Sequence, residues 1–131
     1  MSRENVELAR WAFTSDPTRF FSLLDEEIEL DARRNAELPG AVLAGRGREV
    51  VERFCREFWG TWAEYSADPE EFIDAGDHVV VEVHERGEGK GSGVPFERTH
   101  IQVWTLRHKR LVRWQLFADK AEALEAAGLS E

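Results

Sequence analysis

From His78 to Ala118 the chain reads as three consecutive strands, and the alternation along them limits the fold more than any other feature. A strand sends successive side chains to opposite faces, so each run splits into two rows. In 94–107 one row holds Phe96, Arg98, His100, Gln102, Trp104 and Leu106, and the other Glu97, Thr99, Ile101, Val103 and Thr105. In 110–118 the rows are Val112, Trp114, Leu116 and Ala118 against Leu111, Arg113, Gln115 and Phe117. Neither row is uniformly polar, whereas a sheet with one wet face shows clean alternation. The expectation is a sheet covered on both sides, by helices on one face and by a second copy of the chain, a homodimer, on the face of Ile101, Val103 and Phe117.

The first half supplies the helices. Val6, Ala9 and Phe13 share a face of a helix over 3–14, and Asp16-Pro17 has the cap and first-turn proline of a second over 17–24. Ile28 and Leu30 fall on one side of a short strand over 27–31, and 32–47 reads as a loop. Val51, Phe54, Cys55, Phe58, Trp59 and Trp62 recur at three and four residues, one apolar stripe of a helix over 48–62. Cys55 lies inside that stripe and reads as a small buried hydrophobe, not a nucleophile. A short strand over 70–74 and a C-terminal helix capped by Asp119 and ended at Gly128 complete the pattern. The glycine-rich 87–93 joins two strands and opens no helix, so it reads as a flexible hairpin loop and not a phosphate cradle.

With 131 residues, 42% of them hydrophobic, the chain is expected to form one domain over 1–131 with its own core. A formal net charge of −9 disfavours nucleic acid and anionic membranes as partners. A single cysteine and the lack of an apolar leader or span point to a cytoplasmic protein. The four histidines show no ligand spacing, no Gly-x-Ser-x-Gly elbow is present, and neither a metal nor another cofactor is expected.

Several stretches carry a family resemblance: Asn5-Val6-Glu7-Leu8, the run Leu24 to Asp31, Ala44-Gly45-Arg46-Gly47, the run Glu71 to Val81, the run His100 to Leu106, and Leu111-Val112-Arg113. Together they resemble SnoaL-like proteins of the nuclear-transport-factor-2-like superfamily, which also contains ketosteroid isomerases, polyketide cyclases and epoxide hydrolases. The resemblance implies an α+β fold, with N-terminal helices packed on a strongly curved, largely antiparallel sheet that forms a cone-shaped pocket. It places Asp31 where the isomerases keep their carboxylate base, and Gln102 near their protonated acid donor. The first helix lacks the tyrosine that helps to hold an enolate oxygen, and Arg107-His108-Lys109-Arg110 stands where relatives close the last hairpin with an Asp-Gly-type turn. Without glycine that hairpin is expected to use another geometry.

If this topology holds, Arg98, His100, Gln102 and Trp104 look inward with Trp114 and Leu116. Three functions follow from different classes. The first is a binding protein for a small apolar or partly polar organic ligand, walled by Trp59, Trp104 and Trp114, with Arg98 orienting an anionic group. The second is a cofactor-independent acid-base enzyme of isomerase or cyclase type, using Asp31 with His100. The third is a dimeric interaction module with a vestigial pocket. Each polar residue also has a structural reading: Asp31 on backbone amides, His100 as a satisfied core histidine, Arg98 as the ion-pair partner of a glutamate.

Overall fold

A computed structural model describes residues 2–14, 16–35 and 43–129. The elements are α1 (Ser2–Ala12), α2 (Pro17–Leu23), β1 (Leu24–Arg34), β2 (Ala44–Arg46), α3 (Arg48–Gly60), β3 (Trp62–Ala75), β4 (His78–Gly89), β5 (Pro95–Arg107), β6 (Arg110–Phe117) and α4 (Lys120–Ala126). The strands form one curled sheet in the order β2-β1-β6-β5-β4-β3. Every neighbouring pair is antiparallel except β1 with β6.

The caps act as the residue types dictate. Asp16 accepts from the Thr18 amide ahead of Pro17, and Asp119 accepts from the Ala121 amide. The strands run longer than expected from sequence. β3 takes in Trp62, which leaves the helical stripe, and extends well before residue 70. Pro69 is tolerated because β3 is an edge strand with a register shift between Pro69 and Glu71. β4 continues through Gly87 to Gly89, so only the end of the glycine-rich segment is a turn. The loop expected over 32–47 contains the end of β1 and all of β2, and its 36–42 portion lies outside the described residues.

Two layers of core result. On the inner face, α1, α2 and α3 pack Ala9, Leu23, Val51, Phe54 and Cys55 against Ile28, Leu30, Val79, Val81, Val83, Trp104 and Trp114. On the outer face, Val80, Ile101, Val103 and Phe117 are buried beneath Ala123 and Ala127 at the C-terminal helix. The expectation of helices on one face only is therefore corrected. The apolar row that motivated a homodimer is already covered within the chain by α4.

Two further expectations change. Leu111 lies inward opposite Leu106, because β6 has one residue more than β5 between the pairs Thr105–Arg113 and Leu106–Leu111. That bulge flips one side chain to the other face. The last hairpin does use a two-residue turn, with His108 (φ 52) and Lys109 (φ 63) both left-handed despite having side chains. Among the described residues no helix is long and apolar enough to cross a membrane.

Because Val103 is buried under α4, Val103→Asp is expected to lower stability by about 3 kcal/mol or more. Urea unfolding followed by circular dichroism checks this. A variant as stable as the parent but of altered mass would restore the outer face as a subunit interface.

Candidate functional site

The inner face of β4 continues past its valines to Glu85, which stands opposite Arg98 on β5, with His100 opposite Val83 and Gln102 opposite Val81. Glu85 is 0% exposed. A carboxylate in that position is tolerable only with partners. Arg98 Nε donates to Oε1 at 3.2 Å, and the Tyr65 hydroxyl from β3 donates to Oε2 at 3.3 Å. His100 Nδ1 lies 2.6 Å from Oε2. Burial acts to raise the Glu85 carboxyl, but the His100 and Arg98 contacts outweigh it and hold the group below its ordinary value. Burial, then the Glu85 charge beside it, pushes the Tyr65 phenol far up, so it stays neutral.

The protonation of His100 follows from its partners. Trp104 and Trp114 both donate their indole N–H to Gln102 Oε1, at 2.8 and 3.0 Å. Indoles only donate, so the Gln102 oxygen must face them and its Nε2 must face His100, 3.0 Å from the ring Nε2. That ring nitrogen therefore accepts and carries no proton. The contact at Nδ1 is bent from the ideal hydrogen-bond direction. Even so, two lone pairs at 2.6 Å would repel, which leaves the proton on Nδ1 facing Glu85. His100 is thus neutral, and the Arg98 guanidinium is the cation that faces Glu85 among the described residues.

At the end of this layer two donors lack acceptors among the described residues. Arg98 Nη1 donates to Asn35 Oδ1 at 3.3 Å, which fixes the Asn35 amide with Nδ2 turned away from the guanidinium. Asn35 is 1% exposed and its Nδ2 has no partner among the described residues. The buried Trp62 Nε1 likewise has none. Trp62 stacks on Phe96 at 4.3 Å, and Phe58 and Tyr65 close the group at 5.0 Å from each other. Gly87 makes room for this: a Cβ there would lie 2.9 Å from the Phe96 ring and 2.5 Å from the Glu64 carbonyl.

Of the residues singled out from sequence, the fold brings Arg98, His100, Gln102, Trp104, Trp114 and Leu116 to the inner face. Trp59 does not join them. It is 39% exposed on α3, its ring 6.2 Å from Phe21. Asp31 does not join them either. It alternates with the buried Leu30 and Ala32, so its carboxylate lies on the outer side. There it accepts from the Arg33 amide at 3.1 Å and from the Arg33 guanidinium at 3.0 Å. The Arg33 side-chain bond dominates and holds the Asp31 carboxyl below its ordinary value, the reverse of what a base near neutrality needs.

Between helices and sheet the space around the two indoles is filled. Phe20 lies 5.3 Å from Trp104 and 4.8 Å from Trp114, with Phe54 at 5.8 Å from Trp114. Open clefts occur instead at the tip of β3, β4 and β5, about 600 Å³ where Glu64, Arg86, Glu88 and Glu97 flank Tyr65 and Phe96, and on the outer side by Glu29, His78 and Arg113, about 360 Å³. Burial pushes the Cys55 thiol up to about 12, which leaves no thiolate for chemistry. Glu85, Tyr65 and Asn35 were not singled out from sequence. One further step of the alternation from Val79, Val81 and Val83 reaches Glu85.

A helix-backed, curled sheet with ionisable groups on its inner wall defines the class as a cone-shaped α+β domain. The SnoaL-like domain family matches residues 8–114, and the chain belongs to that family. No curated protein matches the sequence. Among solved structures, a candidate SnoaL-like polyketide cyclase from Jannaschia is similar with a TM-score of 0.75 at 16% identity, covering 99% of this chain and 95% of that one. TerC, co-crystallised with polyporic acid, has a TM-score of 0.70 at 19% identity, covering 97% of this chain and 98% of that one. A protein of ketosteroid-isomerase-like fold from Catenulispora acidiphila, in complex with trimethylamine, has 0.66 at 20% identity, covering 95% of this chain and 91% of that one. At these identities the likeness is one of fold.

Glu85→Gln removes the charge that Arg98 and His100 face, and is expected to cost about 3–5 kcal/mol in urea unfolding at neutral pH. The folded carboxyl is depressed, so its contribution is present above the unfolded value and lost as pH falls below about 4.5. The variant should therefore lose less stability than the parent across that acid range. Equal acid sensitivity would contradict the ion-pair assignment.

Proposed function

We propose that this chain binds a small organic molecule on the inner wall of its cone, at the end where Tyr65, Glu85, Arg98 and Asn35 meet the ring group of Trp62 and Phe96. The observation that carries the reading is the buried polar layer itself. A buried ion pair is a weak stabiliser, and apolar residues of similar volume would hold a core as well or better. Ionisable groups with perturbed protonation on the wall of a cone are candidates for a ligand site. The aromatic group beside them offers flat apolar area, worth ~25 cal/mol per Å² before ordering costs. The structural neighbours that carry polyporic acid and trimethylamine support a small-molecule role on this frame.

An acid-base enzyme gains no observation of its own. Asp31 is held by Arg33 on the other side of the sheet, and the one lone pair of His100 faces the Gln102 amide. The binding reading stands alone as the conclusion.

Titration with a panel of planar aromatic compounds, followed by tryptophan emission, tests it. Saturable quenching below millimolar concentration is expected for some members, and Phe96→Ala should weaken it about tenfold while the far-UV spectrum is retained. Absence of any saturable response up to millimolar concentration would overturn it.

A further inference from the structure

We infer that the cleft on the outer side of the sheet, away from the inner wall, binds an aliphatic zwitterion: an ω-amino carboxylate whose two charges are held apart by a short methylene stem. The strand register draws one transverse row across that side. Arg46, Glu29, Arg113, Thr105 and His78 stand next to one another on β2, β1, β6, β5 and β4. A cleft of about 360 Å³ opens along this row. Its charges are sorted by strand. The carboxylates Asp25, Glu27 and Glu29 all come from β1, whereas His78, Arg107 and Arg113 come from β4, β5 and β6. Half-buried Val112 on β6 lies between the acidic rim and Arg107.

Only part of this charge is met within the chain. Glu29 is shared by Arg46 Nη2 at 2.6 Å and Arg113 Nε at 3.6 Å. Asp25 accepts from the Glu27 amide at 2.9 Å, but Asp25, Glu27 and Arg107 form no ion pair among the described residues. β6 separates β1 from β5, so these ends face each other across two strand spacings, on the order of 10 Å. A lone carboxylate would meet the β1 rim with like charge, and a lone ammonium would meet the arginines. One flexible molecule carrying both charges suits both rims, with Val112 as an apolar floor for its stem. His78 extends the cationic rim: its Nδ1 lies 2.8 Å from the hydroxyl of the buried Thr105, which holds the ring in place. Burial holds this imidazole below its ordinary value; Asp77 opposes that, and Arg107 and Arg113 add to it. A carboxylate seated beside the ring would raise it again. The hollow shape favours a small molecule, because a second copy would set one hollow against another and leave both rims in water.

The test uses 6-aminohexanoate, hexanoate and hexylammonium at low ionic strength, with binding followed through the His78 ring resonances in NMR spectra. The zwitterion is expected to bind about fivefold or more tighter than either singly charged probe, and to raise the pH at which His78 titrates. Glu27→Gln should weaken the zwitterion towards the affinity of hexanoate. Arg107→Glu should reverse the preference, so that hexane-1,6-diammonium overtakes 6-aminohexanoate. Both side chains are exposed, and far-UV circular dichroism confirms that the variants are folded. Equal binding of the three probes, an unchanged order in Arg107→Glu, or no saturable His78 response at millimolar concentration overturns the inference. So does a dimer in light scattering that Arg107→Glu dissociates, since the rims would then belong to a contact between two copies. None of these outcomes bears on the inner-wall reading, whose own titration follows tryptophan emission.

Discussion

A carboxylate sealed inside the cone governs the arrangement of the inner wall. Glu85 is buried among β3, β4 and β5, so its charge has to be met by protein groups and not by water. Arg98 meets it from the adjacent strand, Tyr65 from the other side, and His100 from one step further along β5. Each of these in turn fixes another group. Arg98 sets the Asn35 amide, and His100 accepts from a Gln102 amide that two indoles hold from behind. A chain of single-role donors and acceptors thus orients Asn35, Gln102 and His100.

The surrounding packing confines where a ligand can meet the layer. The indole end is closed by Phe13, Phe20 and Phe54, so Trp104 and Trp114 act as supports for Gln102 and not as an open wall. The other end has Trp62, Tyr65 and Phe96 around a glycine that leaves room for the Phe96 ring. Outside the sheet, α4 covers the apolar row of β5 and β6, which lets the inner wall carry polar groups without the sheet losing an apolar core on its other side.

Much of this was legible in the sequence, and the failures are as physical as the successes. Alternation along residues 94–107 put Arg98, His100, Gln102 and Trp104 on one face, because strand geometry leaves no other choice. The same rule, applied to Ile28 and Leu30, already turned Asp31 outward, and the family resemblance overrode it. Glu85 lies one alternation step beyond Val79, Val81 and Val83, and a charged residue at the end of an apolar row carries no mark of burial. Leu111 could not be read, since a single extra residue in β6 reverses its face without any mark in the composition. The cover formed by α4 was missed because a seven-residue helix at a chain end shows no long apolar period. Asn35 and Tyr65 join the layer through partners far apart in sequence, which no local pattern reports.

The central claim is that His100 is a neutral imidazole with its one proton on Nδ1, held so by Gln102 on one side and Glu85 on the other. Long-range proton–nitrogen correlation spectra of the histidine rings near neutral pH test it directly. The account predicts a protonated Nδ1 and a bare Nε2 for His100, with a Gln102→Leu variant losing that fixed form. A proton on Nε2, or on both nitrogens, would contradict it.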